Sequence, residues 1–127
     1  MTPAAKIILI LAAFLGFFGI LLGALGAHAL EETLLERGTE SAWNTAVLYH
    51  LFHTVALLAA GVWLRSASGH LLAAAATCWL AGTLAFSGSL YWLSLGGPGF
   101  LGPITPLGGL VLMAGWLLSA IAAWRSS

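Results

Sequence analysis

Residues 7–27, IILILAAFLGFFGILLGALGA, contain no charged side chain. A bilayer core about 30 Å thick is crossed by roughly 20 helical residues. The run therefore reads as a membrane-spanning helix. Ala27-His28-Ala29 has the small-residue pattern of a leader cleavage site, but the apolar stretch before it is too long for a leader.

Three further runs of similar length follow, at about 42–64, 71–95 and 106–124. Between them lie breaks with recognisable chemistry. Gly38 is suited to end a short helix, and Ser41 to cap the second span. Gly96-Gly97-Pro98-Gly99 interrupts any helix. Thr105-Pro106 reads as the N-cap and first position of the fourth span. Residues 29–37 carry Leu30, Leu34 and Leu35 at helical spacing. They form either an amphipathic helix on the outer surface or an extension of the first span. The expected fold class is all-α: one domain, 1–127, built as an integral membrane four-helix bundle with both termini cytoplasmic.

Composition agrees. The chain is 61% hydrophobic and 6% charged, whereas about a quarter of a soluble domain is charged. Lys6, Arg65 and Arg125 fall on one side of the spans and Arg37 on the other, which sets the cytoplasmic side by the positive-inside rule. Net charge is zero and the four basic residues are scattered, so no nucleic-acid surface exists. Cys78, the single cysteine, has no partner for a disulfide and reads as a small core residue.

Helices in lipid associate through small residues that let backbones approach. Gly16, Gly19, Gly23 and Gly26 serve this purpose on the first span. Ala81, Ala85 and Gly88 are expected to do so on the third, and Gly108, Gly109, Ala114 and Gly115 on the fourth. The expected partners are the lipid bilayer and, through such faces, further copies of the chain or a larger membrane complex.

The polar residues gather in the outer half. His28 ends the first span. His50 and His53 share one face of the second, together with Tyr49. Ser87, Ser89 and Tyr91 lie on the third, and Thr105 at the start of the fourth. Ionisable groups inside a membrane are costly and point to function by default. Three readings are open. In the first, these eight residues line a site that binds or transports a small ligand, with His28 and His53 as its hydrogen-bonding or protonatable groups. In the second, the chain is an accessory subunit and the polar groups bond neighbouring helices. In the third, His28, His50 and His53 ligate a metal or haem. No cofactor and no catalytic residue is assigned, because no nucleophile elbow, P-loop or zinc motif is present.

The motifs Gly26-Ala27-His28-Ala29-Leu30, Ala46-Val47-Leu48-Tyr49-His50-Leu51-Phe52-His53, Phe86-Ser87-Gly88-Ser89-Leu90-Tyr91 and Ile104-Thr105-Pro106-Leu107-Gly108-Gly109, with Gly115-Trp116, run in order over nearly the whole chain. In them the sequence resembles the domain-of-unknown-function 423 family of small membrane proteins. That family includes YgdD-like bacterial inner-membrane proteins and the eukaryotic transmembrane protein 256 group. The resemblance implies a four-helix membrane protein of the bacterial inner membrane, with no established activity. It also implies that Gln can stand at the position of His50, which shifts weight toward His28 and His53.

Overall fold

The computed structural model describes residues 1–67 and 69–126. Among them are five helices: α1 (Pro3–Ala27), α2 (Glu31–Arg37), α3 (Glu40–Trp63), α4 (His70–Ser94) and α5 (Leu101–Arg125). All but α2 are long and apolar enough to cross a membrane.

α1 starts where Thr2 Oγ1 accepts from the Ala5 amide at 3.2 Å, with Pro3 in the first turn, where no backbone N–H is needed. It stops at His28, whose φ of −128° and ψ of −87° leave the helical region. α2 is therefore a separate helix and not an extension of α1. Glu31 and Glu32 in its first turn and Arg37 in its last suit the helix dipole. Leu34 packs inward, fully buried, while Leu35 is exposed. Gly38, at φ +67°, ends α2 in the left-handed conformation that a glycine adopts without strain.

Two expected boundaries move. α3 begins at Glu40 with Thr39 before it, so Ser41 is not its cap. Thr39 makes no side-chain cap bond either, and its hydroxyl donates to Ser94 O at 2.8 Å. α5 begins at Leu101, and Thr105-Pro106 lies inside it. Pro103 sits in the first turn, and the helix absorbs the one bond Pro106 cannot make. A looser backbone at this depth would leave several groups unpaired in hydrocarbon, which costs more.

Consecutive spans run antiparallel, so both termini lie at one end of the molecule and α2 at the other. Broad contacts join α1 to α3, α3 to α4 and α4 to α5. No comparable contact joins α1 or α3 to α5 among the described residues. The spans thus pack in a row instead of a closed ring, and α3 and α5 are held apart.

Glycines decide these seams. A Cβ at Gly26 would lie 2.5 Å from Trp43 Cδ1, so the indole of α3 occupies the space that glycine leaves on α1. On α4 the contact face agrees with expectation at Ala85, whose backbone meets Gly108, but not at Ala81 and Gly88. Ala81 is exposed and nothing lies within 4 Å of a Cβ at Gly88, whereas Gly82 packs directly on Leu112. On α5 Gly108 and Gly115 are buried as expected, but Ala114 is exposed. Cys78 is half-buried and not a full core residue.

Candidate functional site

The eight polar residues singled out in the sequence do not converge on one pocket. Most of them tie helices together. Trp43 Nε1 donates to Leu22 O at 3.0 Å, and two turns further along both helices His50 Nε2 lies 2.8 Å from Leu15 O. A carbonyl only accepts, so Nε2 carries the proton and donates. His50 Nδ1 is then the acceptor for the Tyr91 hydroxyl, 2.8 Å away. His50 thereby bridges α1, α3 and α4 with both ring nitrogens hydrogen-bonded. Tyr91 also packs edge-on against Trp43, with ring centroids 4.8 Å apart.

Ser87 is fully buried and donates to Ala46 O at 2.8 Å, joining α4 to α3. Ser89 and Thr105 pair at 2.6 Å and join α4 to α5. Arg37 Nε donates at 3.1 Å to Ser94 O, the carbonyl that Thr39 also uses, so α2 is fastened to the end of α4. His28 stands exposed at the end of α1, apart from the other histidines. No group of three or more His, Cys, Asp or Glu side chains comes together among the described residues.

His53 and Tyr49 are placed differently. They line a cleft of about 730 Å³ between α3 and α5, with Phe52 beside them, Phe86 of α4 against it, and Pro106, Gly109, Met113 and Trp116 along α5. Its rim residues Leu48, Phe52, Leu110 and Met113 are exposed. They lie within the spans, so the opening faces the bilayer sideways. Trp116 Nε1 donates to His53 Nε2 at 3.1 Å, and His53 Nδ1 lies 2.8 Å from Tyr49 O. An indole N–H only donates and a carbonyl only accepts, so His53 is the neutral Nδ1-protonated tautomer. The Trp116–His53 pair forms a crossbar between α3 and α5. Below it a second hollow of about 330 Å³ continues between the same helices, lined by Ala56, Ala60, Trp79, Trp116 and Ala120. Trp79 packs against Trp116 with centroids 4.7 Å apart and the rings tilted by 54°, and its Nε1 and the Thr83 hydroxyl are buried without partners among the described residues.

Trp43, Trp116, Arg37 and Ser94 were not among the candidates from sequence. One signal pointed to the tryptophans: a buried indole needs an acceptor, and in lipid that acceptor must belong to another protein group.

A family model described as "Protein of unknown function (DUF423)" matches residues 22–109. The chain is 37% identical to the UPF0382 membrane protein YwdK of Bacillus subtilis, over 93% of this chain and 96% of that protein. It is 36% identical to the UPF0382 inner membrane protein YgdD of Escherichia coli K12, over 95% and 92%. A UPF0382 membrane protein of Haemophilus influenzae is 39% identical over 93% and 94%. No solved structure matches the chain.

Proposed function

The chain belongs to the DUF423 family of small bacterial membrane proteins, and from that premise we propose that it binds a lipid, seating an apolar chain in the cleft between α3 and α5. One observation carries this reading: α3 and α5 are held apart by a cleft of about 730 Å³ that is walled by aromatic and aliphatic side chains. That volume lies within the roughly 300–1,000 Å³ of ordinary ligand sites. The crossbar of Trp116 and His53 closes its deep end and offers no free hydrogen-bonding nitrogen. The ligand part held here is therefore apolar, and burial of each methylene contributes about 0.8 kcal/mol. Of the polar candidates, His53 and Tyr49 belong to this site, while His50, Ser87, Ser89, Tyr91 and Thr105 act as ties that keep its walls in place.

Gly109 supplies the test. A Cβ there would come no nearer than 3.7 Å to Phe86, so a larger side chain extends into the cleft without displacing α4. Wild-type protein exchanged through mild detergent is expected to keep lipid in stoichiometric amount, read by native mass spectrometry. Gly109→Phe is expected to lose at least about nine-tenths of it, the tenfold that 1.4 kcal/mol represents, with an unchanged thermal melt. Equal lipid retention in the two proteins would remove the reading.

In the membrane this reading puts the α2 end outside. Lys6, Arg65 and Arg125 at the opposite end outnumber Arg37, and short-loop Lys and Arg set orientation. A green fluorescent protein fused to the C-terminus is expected to fluoresce and an alkaline phosphatase fused there to be inactive. Active phosphatase would reverse the orientation.

A further inference from the structure

The exposed face of α3 continues from the cleft toward α2. Ser41, Asn44, Leu48, Phe52 and Val55 follow one another at steps of three and four residues, which makes one stripe along the helix. The stripe is polar at the α2 end and apolar below. Its polar end borders a hollow of about 620 Å³ under α2, lined by Glu40, Ser41, Asn44 and Thr45 with Leu34 and Leu35 above. Its apolar part has a trough on each side. One is the α3–α5 cleft already described. The other, of about 490 Å³, runs between α3 and Gly23 of α1 and includes Val47, Leu51 and Val55. Leu48 lines all three spaces and Phe52 lines both troughs. A single hollow with polar groups on its α3 side thus forks into two apolar troughs around a Leu48–Phe52 ridge.

We infer that this surface seats one two-chain phospholipid with a primary-amine head, of the phosphatidylethanolamine type. The inference rests on the lipid-binding reading above and names the lipid. The two acyl chains straddle Leu48 and Phe52, one in each trough, and the head fills the hollow under α2. Charge selects the head. Among the described residues, Glu40 is the one acidic side chain lining the hollow, and no basic side chain lines it. Arg37, the basic residue of this end, is turned to Ser94 O. Glu31, Glu32 and Glu36 of α2 add negative charge nearby. A purely anionic head meets no counter-charge here, whereas a primary ammonium can donate a charge-assisted hydrogen bond to the Glu40 carboxylate. The phosphodiester finds neutral donors in the Ser41 and Thr45 hydroxyls and the Asn44 carboxamide. A quaternary ammonium has no N–H to donate, and no aromatic ring lines the hollow to hold it by its faces.

The experiment is competition native mass spectrometry on the full chain in detergent with an equimolar mixture of dioleoyl phosphatidylethanolamine, phosphatidylcholine and phosphatidylglycerol. One phosphatidylethanolamine per chain is expected, preferred about tenfold over phosphatidylglycerol, the discrimination of one charge-assisted contact. Glu40→Gln is expected to reduce the preference below about twofold, and Asn44→Leu, which removes a donor to the phosphodiester common to all three lipids, to weaken their binding alike while the preference stays. The single-chain lyso form is expected to bind at least about tenfold more weakly. Equal binding of all three heads by a wild type that Gly109→Phe empties would overturn the assignment of the head and leave the lipid-binding reading standing. No lipid bound by wild type, or a polypeptide occupying this face instead, would overturn both.

Discussion

Gly108→Leu is expected to part α4 from α5 and to cost about 3 kcal/mol of stability, the upper end of what overpacking costs. A Cβ at Gly108 would lie 2.5 Å from the backbone nitrogen of Phe86 and 2.9 Å from its Cα. Side chains can rotate out of the way, but a helix backbone cannot without moving the whole helix. The displacement would also pull Thr105 from Ser89 and Gly115 from Trp79, so one substitution loosens the full length of the seam. Thermal melting in detergent and unfolding by sodium dodecyl sulfate would both read the loss. The neighbouring Gly109→Ala is the control, since its Cβ would be 3.7 Å from Phe86. A change within about 0.5 kcal/mol is expected there, as at other sites without a packing conflict. If the two glycines proved equally sensitive, close backbone contact would not be what holds α4 to α5.

His50→Ala is expected to have the second largest effect, about 2–3 kcal/mol. It removes the donor to Leu15 O, leaves the half-buried Tyr91 hydroxyl unpaired and opens a void beside Gly19. Hydrogen bonds between membrane helices are worth about 0.6–2 kcal/mol each, and an unpaired buried group adds about 1–3 kcal/mol. His50→Gln separates a tie from chemistry. A carboxamide has both a donor and an acceptor, so it can address Leu15 O and Tyr91 together. It is expected to keep stability within about 1 kcal/mol of wild type, less than the cost of leaving one buried group unmade. An equal loss for Gln and Ala in the same unfolding measurement would mean that the imidazole does something other than bridge helices.

The gap between His50 and His53 shows where sequence reasoning ran out. The two residues share a helix face, have the same side chain and sit one turn apart, so nothing local separates their roles. Their surroundings do. His50 meets a carbonyl of α1 and a phenol of α4, and becomes a closed tie in the interior. His53 meets an indole from α5 across a cleft and becomes part of a wall. His28 looked like the partner of His53 because both lie toward the same end of the spans, but it ends exposed at the turn before α2. Depth along a helix is legible in a sequence; the direction in which a face points depends on the neighbour.

The amino-acid order alone specifies four apolar spans with their approximate limits, the break at Gly38 and the loop at residues 96–99. These follow from properties each segment carries alone: the transfer of apolar side chains into lipid and the backbone limits of glycine and proline. It also determined that glycine-rich faces would form the seams of α1 and α5. Helix packing decided that the spans stand in a row, that Gly82 and not Gly88 meets α5, that α5 begins five residues before Pro106, and that α3 and α5 enclose a cleft bridged by the Trp116–His53 bond. The physical reason is that helices in lipid gain little from burial as such. Their arrangement is selected by which backbones can approach and which buried donors find acceptors, and both are properties of pairs of helices, not of any one segment.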